Sequence, residues 1–551
     1  MKRSIQFLAS AILFSLTLAA LAESRPNVVI FLTDDQGWGD LSINGNTNLS
    51  TPHVDSLAND GASFENFYVC AVCAPTRAEF LTGRYHPRTG VSGVSRGEGR
   101  LNPDETTIAN VFKEAGYSTG AFGKWHNGTR VRGKGYVVDD FTDHALQFIR
   151  QHQDEPFLCY LPYNTPHSPM MIDDQFYNKF KDLDPKLRHR DPDREDLMMT
   201  RAALAMCENI DSNVGRILKE LDELKLQDNT IVLYFSDNGP NSFRWNGDMK
   251  GRKGSVDEGG LRSPLFIRWP GRIAAGSRVT QVTGAIDLLP SLANLAGIPM
   301  ETAKAMDGVS FETLLGKQNN LWAERDLFSL WRDKASVRSQ RFRMDTVGNL
   351  YDIENDRGQR VDIAAQHPVE AARLKQALAK HREQMGEEFT PFKDRPFTVG
   401  YGRSTTLPAR DGIEHGNIQR SSKAPNNSFF KNWKREDDSI TWHVDVGQAA
   451  NYEATVYYTC TTKNVGVRIR LAMDGTTALA EAKATQAFDP PLYDKSKERV
   501  AASHYFVKDF KPLKLGTLRL EAGAGLLRLS APKITGNGAI DVHSIELSRK
   551  Q

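Results

Sequence analysis

Three apolar runs organise the first half of the chain: Val28-Val29-Ile30-Phe31-Leu32, Phe157-Leu158-Cys159-Tyr160-Leu161 and Ile231-Val232-Leu233-Tyr234-Phe235. Each is unbroken and too short for a helix of ordinary length. Each therefore predicts a strand buried on both faces, as in a parallel sheet covered by helices. Stretches of helical character lie between them, Thr106 to Ala115 and Glu195 to Leu224 among them. The alternation predicts an α/β doubly wound domain with a mixed or parallel sheet flanked by helices. Each run ends in polar residues: Thr33-Asp34-Asp35, Asn164-Thr165-Pro166-His167 and Ser236-Asp237-Asn238-Gly239. Ligands gather at the carboxyl ends of strands in such sheets, so these clusters mark the expected site.

The pattern changes after about residue 325. Arg341-Phe342-Arg343-Met344 and Leu350-Tyr351-Asp352-Ile353 read as short strands, and a helix is expected over roughly 368–386. A polar stretch with Gly and Pro, 391–430, reads as a linker. Beyond it the period is two: Ile440, Trp442, Val444 and Val446, then Val465, Val467, Ile469 and Leu471, then Leu527 and Leu529. That spacing predicts a C-terminal antiparallel β-sandwich. The divisions are thus a processing segment at 1–22, a catalytic-type α/β domain at 23–325, a small α+β subdomain at 326–390, the linker, and a sandwich at 431–551. The sandwich has the texture of carbohydrate-binding jelly rolls without a motif, and Trp433, Tyr457 and Tyr458 read as core residues.

Composition excludes several classes. In 551 residues, 40% are hydrophobic and 25% charged, as in an ordinary soluble protein. Lys2 and Arg3 precede an apolar stretch from Ile5 to Leu21, interrupted by Ser10, Ser15 and Thr17, and Ala20-Leu21-Ala22 fits a cleavage site. This is expected to be a signal peptide rather than a membrane anchor, with the mature chain exported to the periplasm or secreted and no membrane span retained. The formal net charge is only +2, and both excess charges leave with the segment, so nucleic acid is not an expected partner. Five cysteines, at 70, 73, 159, 207 and 460, are too few for a disulfide scaffold. Cys70-Ala71-Val72-Cys73 has redox-pair spacing, but Pro75, Thr76 and Arg77 fit another chemistry better.

Asp34 and Asp35 are adjacent carboxylates, costly unless a cation neutralises them. Asp237 and Asn238 add a carboxylate and an amide oxygen. Hard oxygen donors of this kind suit Ca²⁺ or Mg²⁺. Taken singly each pair would read as a turn; together, each at the end of an apolar strand, they read as a metal site. Cys73 is expected to open a helix, where free N–H groups favour an anion. Arg77, four residues on, lies on the same face. Lys124 offers a point charge to an anionic substrate, and a histidine such as His126 titrates near neutrality and can move a proton.

Cys73-Ala74-Pro75-Thr76-Arg77, followed by Leu81-Thr82-Gly83-Arg84, matches the C-x-P-x-R…L-T-G-R signature of the type I, formylglycine-dependent sulfatases. Pro26 to Asp40, Phe235 to Pro240, Gly123-Lys124-Trp125-His126, Pro166-His167-Ser168-Pro169, and Gly251 to Ser255 followed by Glu258 to Pro264 also have that family's form. On these motifs residues 25–390 resemble the arylsulfatase-A-like family of the alkaline phosphatase superfamily, and 326–390 its small C-terminal subdomain. The resemblance implies a sulfuric ester hydrolase. It implies that Cys73 is oxidised to formylglycine by a maturation enzyme, and that its hydrate attacks sulfur. The metal, Ca²⁺ with Mg²⁺ as the alternative, would be held by Asp34, Asp35, residue 73, Asp237 and Asn238. Arg77 and His126 would contact the hydrated aldehyde, with His126 a candidate base; Lys124 and Lys253 would bind sulfate; His167 would protonate the leaving oxygen. Thr76 stands where serine is commoner.

The sequence departs from its relatives after His126. Asn127 to Tyr136 is followed almost at once by Asp139-Asp140-Phe141-Thr142-Asp143, which resembles the helix start beyond a long substrate-facing loop. Either that loop is lost, giving an open pocket, or the sequence is incomplete there; both leave the substrate, a sulfated carbohydrate or a small sulfate ester, the least constrained feature. Two rivals carry other expectations: a phosphonate or phosphate monoester hydrolase of the same superfamily, and a carbohydrate-binding protein with an inactive sulfatase domain.

Overall fold

The structure, a computed structural model, describes residues 25–95, 97–124, 136–316, 322–389, 391, 395–422, 428–492, 498–500 and 507–550. The processing segment and His126 lie outside the described residues. The first half forms a seven-stranded sheet from β1 (Asn27–Asp34), β2 (Ala62–Phe64), β4 (Ser118–Ala121), β5 (Phe157–Pro166), β6 (Thr230–Ser236), β7 (Leu265–Arg268) and β8 (Ser277–Val279), while β3 (Phe67–Tyr68) pairs separately with Thr283–Gly284. The order is β4-β5-β1-β6-β7-β2-β8. Parallel pairing joins β4, β5, β1 and β6, and β7 turns antiparallel between β6 and β2.

The unbroken apolar runs have a direct physical reason. Val28, Ile30 and Leu32 of β1, with Ile231, Leu233 and Phe235 of β6, enter one core beside Phe80, Phe112 and Leu288. The alternate residues Val29 and Phe31, with Val232 and Tyr234, enter a second core beside Ala145, Ile149, Val214 and Leu221. These come from the helices Val137–Gln151 and Leu197–Glu223. Both faces of the central strands are dry, so both strand parities must be apolar. The domain is therefore an α/β mixed sheet wound on both sides, as the alternation predicts.

Strands Leu327–Trp331, Lys334–Arg338, Phe342–Met344 and Leu350–Asp352 form a four-stranded antiparallel sheet, and the helix Pro368–Glu388 packs on it through Leu374 and Leu378. Two further sheets then face one another. One carries Ser439–Val446, Gly523–Lys533 and Arg468–Met473, the other Ala450–Thr459, Asp541–Arg549 and Lys511–Leu520. Trp442, Val444, Leu471 and Leu529 meet Tyr452, Val456, Ile545 and Leu547 between them. The stretch read as a linker contributes to both sheets. Phe397–Val399 runs parallel to Ser439–Val446, Ser404–Pro408 pairs Asp541–Arg549, and Ile413–His415 pairs Ser439–Val446. These strands are three to five residues long. A period of two cannot announce itself over so few positions. Trp433 and Tyr458 are buried in this core, and Tyr457 donates to Glu546 Oε2 at 3.0 Å.

Among the described residues, the sandwich module meets the catalytic-type domain around Arg100 and around Met170. Arg100 donates to the carbonyls of Arg395 and Pro396 and lies over the Phe397 ring. Residues 498–500 reach the catalytic-type domain near Met170.

Candidate active site

β1 lies between β5 and β6, so its carboxyl end opens where the sheet's winding changes direction, the expected place for a ligand. Asp34 closes β1. Asp35 follows in the left-handed region, at φ 67°, a strained conformation that concentrates at functional sites. Asp35 is held there from three sides. Asn238 Nδ2 donates to its Oδ1 at 2.8 Å, its own N–H donates to Asp237 Oδ1 at 3.3 Å, and Arg244 Nη2 donates to its carbonyl at 2.9 Å. Arg244 is itself fixed by Asp40, to which Nε and Nη2 both donate. Sequence reading missed Arg244; its neighbours Phe243 and Trp245 give no motif that would mark it.

Cys73 opens the helix Cys73–Thr82, as expected, and Gly83 closes it at φ 68° with its N–H on Glu79 O. Every residue of this helix is buried. Thr76 Oγ1 accepts from Cys70 N–H at 2.8 Å and donates to the Asp237 carbonyl at 2.5 Å. Arg77 directs Nε and Nη2 at Asp237 Oδ2, at 3.2 and 2.7 Å, and Nη1 at the Lys124 carbonyl at 2.7 Å. The helix thus arrives at the strand-end cluster with its N-terminus and its arginine together.

Asp34, Cys73 and Asp237 offer ligand atoms that all lie within 4.8 Å of one another, and Asp34, Asp35 and His167 form a second such group. Asp34 Oδ1 and Asn238 Oδ1 are buried and have no hydrogen-bond partner. Lys124 Nζ donates to Asp34 Oδ2 and stands 3.9 Å from Cys73 Sγ, and Lys253 Nζ donates to Asp35 Oδ1. His167 Nε2 lies 3.7 Å from Asp35 Oδ2, while Nδ1 is 2.6 Å from the Ser168 carbonyl. The structure therefore brings together Asp34, Asp35, Cys73, Arg77, Lys124, His167, Asp237, Asn238 and Lys253, drawn from six separate stretches of chain.

Charge shapes this pocket. Burial alone would raise the Asp34 carboxyl, but Lys124, His167, Arg77 and Lys253 hold it well below the usual range. Asp35 is likewise lowered against burial, chiefly by Lys253 and His167. Burial and the neighbouring Asp34 charge push Asp237 up to about 7. Burial pushes the Cys73 thiol up, and burial together with Lys253 pushes His167 down. Three carboxylates share this small volume with Arg77, Lys124 and Lys253, and two buried oxygens, Asp34 Oδ1 and Asn238 Oδ1, have no hydrogen-bond partner. Such a set fits a hard divalent cation, whose ligands are oxygen atoms at close range.

The sulfatase family model matches residues 26–138 and 128–298, and the model described as N-sulphoglucosamine sulphohydrolase, C-terminal, matches 252–384. The two sulfatase stretches overlap on 128–138, where sequence reading places the shortened loop. N-acetylgalactosamine-6-sulfatase of Mus musculus is 30% identical over 363 residues, covering 53% of this chain and 66% of its own length. Arylsulfatase A of Homo sapiens is 30% identical over 371 residues, covering 54% and 69%. The chain thus spans about two thirds of the length of the curated relatives it matches. Among solved structures, Ps i-CgsB in complex with k-i-k-neocarrahexaose superposes with a TM-score of 0.59 at 25% identity, over 67% of this chain and 94% of that one. The phosphonate monoester hydrolase of Agrobacterium radiobacter shares the fold, with a TM-score of 0.53 at 21% identity over 66% and 96% of the two chains.

Proposed function

The chain belongs to the sulfatase family, and on that footing we propose that it hydrolyses sulfate monoesters of a carbohydrate, with Cys73 matured to formylglycine and a divalent cation, Ca²⁺ or Mg²⁺, in the pocket. The observation that carries this reading is the convergence of Cys73 with Asp34 and Asp237 beside two unbonded buried oxygens. The donor set is oxygen throughout except at Cys73. A buried thiol of raised pKa is a poor partner for a hard cation, whereas an oxygen group at residue 73 would complete the set.

Asp34, Asp35, Asp237 and Asn238 would hold the cation, which supplies positive charge that acidifies a bound hydroxyl and screens the ester. Formylglycine, when hydrated, would supply one hydroxyl as the nucleophile and a second whose loss of a proton expels the sulfate. The protein's own residues do the remainder. Arg77 keeps Asp237 in place and orders the Lys124 backbone, so one side chain fixes both the anionic and the cationic wall. Lys124 and Lys253 place two ammonium groups at the rim of the cluster, where a sulfonate would bring its oxygens. His167, with Nδ1 set by the Ser168 carbonyl, presents Nε2 to the pocket and would protonate the leaving oxygen. His126 is the proposed base for the release step.

A glycan substrate draws support from two relatives, one named N-acetylgalactosamine-6-sulfatase and one solved in complex with k-i-k-neocarrahexaose. Export through the N-terminal segment, and maturation by a formylglycine-generating enzyme, belong to the same proposal. Among the described residues no helix is long and apolar enough to cross a membrane. The phosphonate hydrolase of the same fold gives the rival reading. Rates on a matched aryl sulfate and aryl phosphonate separate the two: faster phosphonate cleavage would overturn the sulfatase assignment. A panel of defined sulfated oligosaccharides then gives the sugar and the sulfated carbon.

A further inference from the structure

The sandwich grips the segment that carries His167. Glu498 forms an antiparallel bridge with Met171, and Arg499 N–H donates to the Met170 carbonyl at 3.0 Å. The Arg499 guanidinium donates to the Ile172 carbonyl at 2.7 Å, pairs with Asp174, and lies 4.5 Å from the Tyr177 ring centroid. Val500 is buried in a core shared with Met170, Ile172, Phe180 and Ala202. One residue from the far module thus holds the carbonyls on both sides of Met171, across 327 positions of sequence.

Met170 is three residues beyond His167. Between them Ser168 supplies the carbonyl that fixes His167 Nδ1, and on the other side Asn241 Nδ2 holds the Pro166 carbonyl at 3.3 Å. The imidazole is therefore aimed by a short backbone arch whose far footing is Arg499. We propose that Arg499 is a positioning residue for proton delivery by His167, so that the C-terminal sandwich is a working part of the catalytic unit. The inference rests on the reading of His167 as the acid that protonates the leaving oxygen.

A misplaced acid has a specific kinetic signature. A nitrophenolate leaves without help, whereas an unsubstituted phenolate gains from a proton in the transition state. Matured full-length protein, Arg499→Ala and His167→Ala are assayed on a series of substituted phenyl sulfates, from 4-nitrophenyl sulfate to phenyl sulfate. For Arg499→Ala the expected result is a fall of about tenfold or more in kcat on phenyl sulfate, with 4-nitrophenyl sulfate within about twofold and KM little changed, since small misplacements of a reacting group are costly. His167→Ala should show the same dependence, more steeply. Equal losses on every member of the series, or no loss, would overturn the inference. A steep His167→Ala series with a flat Arg499→Ala series removes the positioning role alone; a flat His167→Ala series removes the acid assignment and the inference with it. Asp174→Asn loosens the same grip from the other partner and gives the same readout should Arg499→Ala fold poorly.

Discussion

Arg77 and Asp237, 160 positions apart, form an ion pair in which Nε and Nη2 both reach one carboxylate oxygen, and both side chains are almost wholly buried. The pair joins the helix that opens at Cys73 to the end of β6. Removing one partner of a buried pair strands the other, at a cost of about 3–5 kcal/mol. Arg77→Ala should therefore lose both stability and turnover. Arg77→Lys keeps the charge but not the fork, and should recover more stability than rate. Denaturant unfolding and sulfate release on the same preparations check this; equal recovery of both would argue that the fork serves only the fold.

Thr76 occupies the third position after Cys73 and bridges Cys70 N–H to the Asp237 carbonyl. A serine can make both bonds, and a valine of the same shape can make neither. Thr76→Ser should be nearly neutral. Thr76→Val should cost about 1–3 kcal/mol, the penalty for leaving buried polar groups unpaired. Thermal melting of the two variants distinguishes them, and equal stability would remove the bridge from the account.

The metal proposal predicts stoichiometric Ca²⁺ or Mg²⁺ by elemental analysis of the purified protein, lost in Asp237→Ala together with activity. A chelator should lower the melting temperature, because an ion that binds only the folded state adds about 2.7 kcal/mol at a hundredfold excess over Kd. Unchanged metal content in Asp237→Ala would remove that residue from the site.

His381 gives a pH signature distant from the chemistry. Its ring stacks on Phe328 with centroids 4.1 Å apart, it meets Tyr85 edge-on, and its Nε2 has no hydrogen-bond partner. Burial first, then the charges of Arg88 and His86, lower its pKa to about 4. An unfolded imidazole titrates near 6.5, so the unfolded state takes the proton more readily. The contribution is whole above about 6.5, is lost as pH falls from there toward about 4, and declines no further below. His381→Leu should flatten the fall in unfolding free energy between those limits. An unchanged slope would contradict it.

How much of this could be read from the sequence follows from what each residue answers to. Asp34, Asp35, Asp237 and Asn238 were legible because they end strands whose two-sided burial forces an unbroken apolar run. Cys73 and Arg77 are found as residues of the C-x-P-x-R signature, and a helix start with a four-residue spacing, both local properties, puts them on one face. Lys124 and Lys253 were found as motif residues, but their contacts with Asp34 and Asp35 depend on packing between distant loops. Arg244 and Arg499 left no trace, since neither sits in a periodic element and each acts on backbone far away in sequence. The first strands of the sandwich escaped for the opposite reason: they are too short to show a period.

The most direct measurement is sulfate release from an aryl sulfate by matured protein and by Cys73→Ala, with the mass of the peptide spanning residue 73 determined in the same preparations. The account predicts turnover in the first, an aldehyde in place of the thiol, and no turnover in the variant although it folds. Retained sulfate release in folded Cys73→Ala, or full activity with an unmodified thiol at residue 73, would contradict it.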